Sequence, residues 1–166
     1  MDLPRKFKVF IYSTMLLALG ACSLDSGFTA YQSVAKTGLQ DALIFELNKV
    51  EDTLHPQNIF VYLRNDNSYP YANIFLICTL KAGEQLILKD TLEYAMAAPD
   101  GTWLGKGFTE VKESKLWWKE GIVLPKERPL TIEIQQAMRT NGNPEGVETL
   151  EGIVSVGISV EAQEFN

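Results

Sequence analysis

Runs of alternating apolar and polar residues constrain the fold of this chain more than any other feature. Ile59, Val61 and Leu63 lie two residues apart, and the segment Leu130–Gln135 alternates in the same way. Because alternate side chains of a strand point to opposite faces, each run predicts a strand with one buried face. Long segments with helical periodicity are absent from the sequence, and the best helical candidate is the short stretch Gln136–Thr140.

The predicted strands are short and are separated by residues that favour turns, such as Pro99-Asp100-Gly101. They comprise residues 43–47, 57–65, 73–80, 86–88, 91–94, 116–124, 130–135 and 153–160, with 103–108 as a ninth candidate. Residues 73–80 are apolar on both faces, which predicts a central strand. Strands spaced roughly 8–12 residues apart predict an all-β, antiparallel β-sandwich. The jelly roll is the commonest eight-stranded form of such a sandwich.

The first residues predict a lipoprotein signal peptide. A positively charged segment containing Arg5, Lys6 and Lys8 precedes 13 uncharged residues, Val9–Ala21. This run is shorter than the roughly 20 apolar residues that span a bilayer, and it fits the signal-peptide core of about 7–15 residues. It leads into the sequence LGAC, whose last residue is Cys22. We therefore expect cleavage before Cys22 and acylation of its thiol, since about two acyl chains give stable anchoring.

This prediction divides the chain into three segments. Residues 1–21 form the signal peptide, residues 22–40 form the lipidated N-terminus and a polar tether, and residues 41–166 form one β-sandwich domain. Removing 21 of the 166 residues leaves 145, the size of one ordinary domain. Cys78 is the second cysteine of the chain and lies in an apolar run, so we expect its thiol to be buried and unreactive.

The charge of the chain narrows the range of partners. The signal peptide contains three basic residues and one acid, so the remainder has 12 Lys and Arg against 20 Asp and Glu, a net charge of −8. A protein this acidic is repelled by nucleic acid and by anionic lipid surfaces. We therefore expect no nucleic-acid partner, and membrane attachment through acyl chains rather than through a basic patch.

The sequence offers little catalytic chemistry. His55 is the only histidine, and the His and Cys residues do not cluster as a zinc site requires. The nucleophile pattern G-x-S-x-G is absent. A glycosidase pair among the acidic residues stays open, because only the separation of two carboxylates in space identifies it. We expect no enzyme activity, no metal and no cofactor beyond the covalent lipid on Cys22.

Aromatic residues are the candidates for binding a partner. Trp117 and Trp118 are adjacent, so on a strand one side chain enters the core and the other faces solvent or a partner. Trp103, Tyr69 and Tyr71 lie beside turn sequences. Exposed aromatic side chains serve both protein interfaces and the stacking of sugar rings. Three roles therefore stay open for these residues: packing within the fold, a protein interface and a glycan site.

Four segments resemble the gliding-motility lipoprotein H (GldH) family of Bacteroidota. They read DTLEYAMAAPDGTWLGKGFTEVKESKLWWKE at 90–120, NIFVYLRNDNSYPYANIFL at 58–76, IEIQQAMR at 132–139 and LEGIVSVGISVE at 150–161. The resemblance extends over roughly residues 40–161 and includes the leading lipobox. Ordered blocks of this length are more specific than a short motif.

The resemblance implies a role rather than a reaction. The family consists of small lipoproteins needed for rapid gliding, and it is associated with the gliding machinery and the related type IX secretion system. Relatives in non-motile members of the phylum imply a role in secretion or envelope assembly. The resemblance transfers no catalytic residue, and only the lipidated cysteine carries over, onto Cys22. The partners it implies are envelope proteins of this apparatus.

A lone acid follows the cysteine, at Asp25, instead of the dense acidic cluster expected of a surface-export signal. We therefore favour the periplasmic face of the outer membrane over the cell surface.

These observations favour a non-enzymatic, lipid-anchored accessory protein of the gliding or type IX secretion apparatus. The alternative is a surface glycan-binding lipoprotein whose exposed tryptophans form the sugar platform. Coplanar exposed rings near a groove would indicate a glycan, and a flat apolar patch would indicate a protein partner. A bound metal, or a cleft with two carboxylates about 5–10 Å apart, would indicate a hydrolase.

Overall fold

The computed structural model describes residues 27–107, 109–140 and 145–163, which form eight β-strands and no helix. The strands are β1 (Phe28–Ser33), β2 (Leu43–Glu46), β3 (Gln57–Asn65), β4 (Asn73–Ala82), β5 (Gln85–Ala95), β6 (Lys112–Ile122), β7 (Leu130–Gln136) and β8 (Ile153–Ala162). The predicted signal peptide, residues 1–21, and Cys22 lie outside the described residues.

The strands form two four-stranded antiparallel sheets. The first sheet has the order β1-β8-β3-β6, and the second has the order β2-β7-β4-β5. Apart from the β4–β5 hairpin, consecutive strands lie in different sheets, so the chain passes repeatedly from one sheet to the other. This is the jelly-roll arrangement of two packed sheets, which confirms the predicted all-β sandwich. The predicted central position of β4 is also confirmed, since it lies between β7 and β5.

The core lies between the inward faces of the two sheets. Its side chains recur at alternate positions of the central strands: Ile59, Val61 and Leu63 of β3, Ile74, Leu76, Cys78 and Leu80 of β4, Leu130, Ile132 and Ile134 of β7, and Val156, Ile158 and Val160 of β8. Burial raises the pKa of the Cys78 thiol to about 12. The thiol is therefore protonated at neutral pH and a poor nucleophile.

The structure differs from the predicted tether at residues 22–40. Phe28–Ser33 form β1 and pair with β8, and Leu39 is buried. Phe28 and Ala30 of β1 pack against the core. Phe28 is the one large apolar residue on the inward face of β1, so the alternation gives only a weak strand signal. Residues 28–40 therefore belong to the folded domain.

The short helical candidate at Gln136–Thr140 does not form a helix. Gln136 ends β7, and the amide of Ala137 donates to the carbonyl of Phe75 on β4 at 2.8 Å. Met138 then packs into the core, where it is 3 % exposed. A segment this short is a marginal helix on its own, whereas contact with β4 satisfies its backbone and buries its methionine.

The strand directions define two ends of the sandwich. The N-terminal end contains the start of β1, the β2–β3 loop (residues 47–56), the β4–β5 turn (residues 83–84) and the β6–β7 loop (residues 123–129). The distal end contains the described residues of the loops 34–42, 66–72, 96–111 and 137–152. The chain therefore enters the domain at the N-terminal end.

Side chains bridge the two sheets along both lateral edges. On one side, the Gln32 amide of β1 donates to the carbonyl of Ile44 on β2 at 2.6 Å. On the other side, a carboxylate oxygen of Asp90 on β5 accepts from the indole of Trp118 at 2.9 Å and lies 3.2 Å from Nζ of Lys119, both on β6. Such bridges cover strand edges that would otherwise offer free backbone groups to another chain.

One carboxylate holds the β2–β3 loop in shape. Oδ1 of Asp52 accepts from the amides of Leu54 at 2.9 Å and His55 at 3.0 Å, and its Oδ2 lies 2.9 Å from Nδ1 of His55. The hydrogen bonds from the His55 and Leu54 amides lower the pKa of Asp52 to about 2. The resulting turn holds the Leu54 side chain outward, where it is 72 % exposed.

This turn should respond to acid in a defined range. Because the pKa of Asp52 is lowered from 3.8 to about 2 by folding, its stabilisation of the turn is fully present above pH 3.8 and is lost as the pH falls through about 2. We expect the Asp52 carboxyl signal in NMR spectra to titrate near 2. The amides of Leu54 and His55 should exchange faster in Asp52→Ala at neutral pH, but not in Glu51→Ala. A midpoint near 3.8 would contradict this account of the turn.

Candidate functional site

The outward face of the first sheet is rich in aromatic and charged side chains. Register aligns Tyr31 of β1, Gly157 of β8, Tyr62 of β3 and Lys115 of β6 in one row across the sheet. In the next row, Phe60 of β3 pairs with Trp117 of β6. We call this surface the aromatic face and define it by Tyr31, Phe60, Tyr62, Arg64, Lys115 and Trp117.

A glycine at the centre of this face makes room for one of the rings. A Cβ added at Gly157 would lie 2.5 Å from Cδ1 of Tyr31, so a larger residue cannot fit beneath the ring in this position. The Tyr31 ring lies across β8 and approaches Tyr62, with ring centroids 5.6 Å apart and planes inclined by 51°. The ring covers a strand position where glycine alone would leave the backbone bare.

Lys115 joins the rings to an ion pair. Its Nζ lies 3.9 Å from the Phe60 centroid and donates to both carboxylate oxygens of Glu161 at 2.8 Å. Burial lowers the pKa of Lys115, but its hydrogen bonds to Glu161 and Tyr62 raise it by more, so the pKa lies above 10.5. Burial raises the pKa of Glu161, but hydrogen bonds from Lys115 and Ser159 bring it below 4.5. Both partners are therefore charged at neutral pH.

Arg64 fixes the opposite side of the face. Its Cζ lies 4.5 Å from the Tyr31 centroid, and its Nε donates to Glu113 at 2.6 Å. The Tyr31 hydroxyl donates to the same carboxylate at 3.3 Å. Burial and the negative charge of Glu113 raise the pKa of Tyr31, so its hydroxyl keeps its proton. The Tyr31 ring is thus held by a cation, a carboxylate and the neighbouring tyrosine.

Trp117 is the most exposed ring of the aromatic face, with 46 % of its surface exposed. It packs edge-on against Phe60, with centroids 4.6 Å apart and planes at 88°. Its carbonyl accepts a hydrogen bond from the Tyr94 hydroxyl of β5 at 2.6 Å, which ties this edge to the second sheet. Trp118 points the other way and is 4 % exposed. The opposite orientations predicted from the adjacency of these tryptophans are confirmed.

The remaining predicted residues lie at the distal end, away from the aromatic face. Tyr69 is 3 % exposed, and its hydroxyl donates to the carbonyl of Asn73 at 2.7 Å. Its ring contacts Tyr71 and Trp103, with centroids 5.8 and 6.1 Å apart. The Trp103 indole donates to Asn67 at 3.2 Å. This cluster fastens the loops to one another.

The structure therefore does not bring the five predicted residues together. Trp117 is exposed on the aromatic face, whereas Trp103 and Tyr71 are half-buried at the distal end. Trp118 and Tyr69 are buried and belong to the core, because both rings find apolar contacts and a hydrogen-bond acceptor inside the fold. A partner that docks on the folded domain cannot contact these two rings directly.

Sequence reasoning missed most of the aromatic face. Phe60 and Tyr62 alternate with the buried residues of β3, which was a usable signal that they face outward. The contributions of Tyr31 and Lys115 gave no such signal, because they depend on the register between strands that are distant in the sequence.

Ring geometry distinguishes between the two binding partners considered. Of the ring pairs in the part of the chain that the structure describes, none is coplanar, since the interplanar angles are between 51° and 88°. Lys115 and Arg64 also occupy one face each of Phe60 and Tyr31. A sugar ring needs a free, flat aromatic face on which to stack. The coplanar ring pair that would indicate a glycan site is therefore not found among the described residues.

The second sheet carries a separate surface groove of about 750 Å³. Phe75 and Ile77 of β4 line it, together with polar side chains such as Gln135 and Glu148. The amide of Phe75 donates to Sδ of Met138 at 3.2 Å, which fixes one wall. None of the five aromatic residues predicted as partner-binding lines this groove.

Within residues 27–107, 109–140 and 145–163, no three His, Cys, Asp or Glu side chains are close enough together to hold a metal ion. His55 is in an exposed loop beside Asp52, where the pair shapes a turn. The same residues contain no helix long and apolar enough to cross a membrane.

The chain is similar to proteins of one lipoprotein family. A model of the GldH lipoprotein family matches residues 28–160. The gliding motility lipoprotein GldH homolog of Christiangramia forsetii is 39 % identical over 155 residues, covering 93 % of this chain and 95 % of that protein. The gliding motility lipoprotein GldH of Flavobacterium johnsoniae is 40 % identical over 149 residues, covering 89 % and 92 %.

Among solved structures, dimeric latent PorU from Porphyromonas gingivalis aligns with 82 % of this chain and 13 % of that chain, with a TM-score of 0.34 and 11 % identity. A TM-score of this size does not establish a shared fold.

The fit of Tyr31 over Gly157 can be tested by substitution. A Cβ at residue 157 would displace the ring, so Gly157→Ala should lower the free energy of unfolding by about 1–3 kcal/mol, as overpacking does. In a Tyr31→Ala background the part of this loss caused by the ring should disappear, leaving only the contact of the added Cβ with the Ala30 carbonyl oxygen at 3.0 Å. Gly146→Ala is the control, since its Cβ would meet its nearest atom at 3.6 Å. Urea unfolding measures all four variants, and an equal loss in both backgrounds would contradict the fit.

Proposed function

The chain belongs to the GldH lipoprotein family, and we propose that it is a lipid-anchored, non-enzymatic accessory protein of the gliding or type IX secretion machinery. In this proposal it acts by holding an envelope protein against its aromatic face. The observation that carries the proposal is that Trp117 is exposed and packs against aromatic and cationic side chains that contact one another.

The composition of the aromatic face supports a protein partner. Trp, Tyr and Arg are the residues most enriched among those that dominate binding energy in protein interfaces. Here Trp117, Tyr31 and Arg64 are already fixed by neighbouring rings and carboxylates. Fixed side chains lose little conformational freedom on binding, so more of the contact energy appears as affinity.

The anchor proposed at Cys22 supports a mechanism based on proximity. Acyl chains would confine the domain to one membrane, where a partner in the same envelope meets it at a raised effective concentration. A weak interface is then sufficient. We place the anchor in the outer membrane, with the periplasmic face favoured, because Asp25 is not followed by an acidic export cluster.

The absence of catalysis is also part of the proposal. The relatives are named as motility lipoproteins, and their names describe no reaction. The candidate site itself is made of rings and ion pairs, and its carboxylates Glu113 and Glu161 each bind a cation. Carboxylates held in ion pairs are poorly suited to act as general acids at neutral pH.

Anchoring is tested in a host strain that lacks this gene. We expect the deletion to impair the secretion of type IX cargo or, in a motile host, colony spreading. Wild type should restore the trait, and Cys22→Ala should accumulate in the soluble fraction and fail to restore it, since it has no thiol to acylate. Membrane fractionation and mass analysis of the N-terminal peptide measure the acylation. Secretion and spreading that stay intact in the deletion strain would rule out the accessory role for this protein.

The aromatic face is tested in the same strain by Trp117→Ser. Loss of one exposed anchor residue in an interface costs about 2 kcal/mol or more, roughly a thirtyfold loss of affinity. We expect reduced spreading or secretion at normal protein levels. Leu104→Ser is the matched control, because Leu104 is 56 % exposed but lies in a loop at the distal end. Equal activity of the two variants would show that the aromatic face is not the binding surface.

A further inference from the structure

The N-terminal end carries three of the large apolar side chains that the domain exposes. Leu54 is 72 % exposed, Leu86 is 55 % exposed and Val123 is 53 % exposed. The loops that carry Leu54 and Val123 leave the sheet side by side, because Gln57 pairs with Ile122. Leu86 is the second residue of β5, whose edge lies against β6.

The loops that carry these side chains are held rigidly. Asp52 fixes the turn that presents Leu54. The guanidinium of Arg128 in the β6–β7 loop donates to the carbonyl of Val50 in the β2–β3 loop at 2.8 Å and to that of Pro125 at 2.8 Å. The side chains of Leu54 and Val123 are therefore held in solvent by fixed backbone. Side chains fixed in this way lose little conformational freedom when a surface binds them.

The chain enters the domain beside this surface. Phe28 is the first residue of β1, and the three strand spacings that separate β1 from β6 amount to about 14 Å. The six residues from Cys22 to residue 27 reach at most about 20 Å when fully extended. A membrane anchor at Cys22 would therefore keep the N-terminal end within about 20 Å of the bilayer.

Charge also distinguishes the two ends. The loops of the N-terminal end contain four acidic and three basic residues, whereas those of the distal end contain seven acidic and three basic residues. These counts cover the loops alone, and both ends are acidic.

We propose that the N-terminal end docks onto the lipid bilayer, with Leu54 and Val123 inserted at its interface and Leu86 exposed at the same end of the domain. The proposal rests on the anchoring at Cys22 proposed above. Two or three apolar side chains bind a membrane weakly on their own, but a tethered domain meets the surface at a high effective concentration. Docking fixes the orientation of the domain and turns the aromatic face sideways, toward proteins in the same membrane.

The test couples the mature chain, residues 22–166, to vesicles by chemistry instead of by cellular acylation. Vesicles of phosphatidylethanolamine with a minority of phosphatidylglycerol carry a maleimide lipid that reacts with the Cys22 thiol. Cys78 is buried, so a Cys22→Ala chain serves as the uncoupled control. Hydrogen exchange measured by mass spectrometry then compares the coupled chain with the free chain, loop by loop.

We expect exchange in residues 47–56 and 123–129 to slow by about tenfold on coupling, the factor that burial of roughly one apolar side chain would give. Exchange in residues 96–107 should not change. The double variant Leu54→Glu, Val123→Glu should lose the protection, and Leu104→Glu should keep it. Both variants alter exposed residues, so equal melting temperatures would confirm that they fold.

Three results would overturn the proposal: no protection on coupling, protection confined to the distal end or the aromatic face, or protection that survives in the double variant. Protection of the free chain that increases with its concentration would assign the surface to self-association instead. Because the coupling is chemical, none of these outcomes depends on whether the cell acylates Cys22. Failure of docking is thus distinguishable from failure of the proposed anchoring.

Discussion

The strands β3 and β8 lie side by side in the first sheet, although most of the domain separates them in the sequence. Their register places Val61 against Ile158, and both side chains are fully buried. β1 pairs with β8 alone and β6 with β3 alone, so both outer strands take their position from this central pair. A slip of one residue between β3 and β8 would turn the apolar faces outward. Burial of those faces offsets the entropy lost in closing so long a loop.

The same strand register also determines which side chains form the aromatic face. With the odd-numbered residues of β3 facing inward, Phe60 and Tyr62 face outward, and Gly157 falls in the row where Tyr31 must cross β8. The side-chain bridges between sheets occupy both lateral edges, so a partner has less access to backbone groups there than to the flat outer face. The fold thus leaves a face, rather than an edge, as the surface for recognition.

Sequence patterns predicted the features of this molecule that depend on residues close together in the sequence. Alternation of apolar and polar residues was sufficient to predict the strands β3 and β7. The adjacency of Trp117 and Trp118 was sufficient to predict that their side chains point in opposite directions. Alternation was insufficient for β1, where only Phe28 is large and inward, and its pairing with β8 replaced the predicted tether. The short helical candidate after β7 is not a helix, because contact with β4 outweighs a weak local preference.

The candidate site depends on contacts that sequence spacing does not encode. Lys115 lies over Phe60, and Arg64 lies over Tyr31, only because three pairs of strands align as they do. Burial of Tyr69 was equally invisible, since its hydroxyl acceptor is a backbone carbonyl in the next strand. A position beside a turn is therefore a poor guide to the exposure of a side chain. Outward positions on a regular strand are better candidates for a binding surface.

The direction of β1 determines how this domain would bear a mechanical force. A pull on the chain before Phe28, directed away from the N-terminal end, acts along the axis of β1 and strains its whole ladder with β8 in shear. Bonds loaded in shear must give way together, whereas bonds that are peeled apart break one at a time. The Tyr31 ring seated over Gly157 adds a side-chain obstacle to sliding. A sandwich connected in this way can transmit tension between its outer face and its N-terminal attachment without unravelling from that attachment.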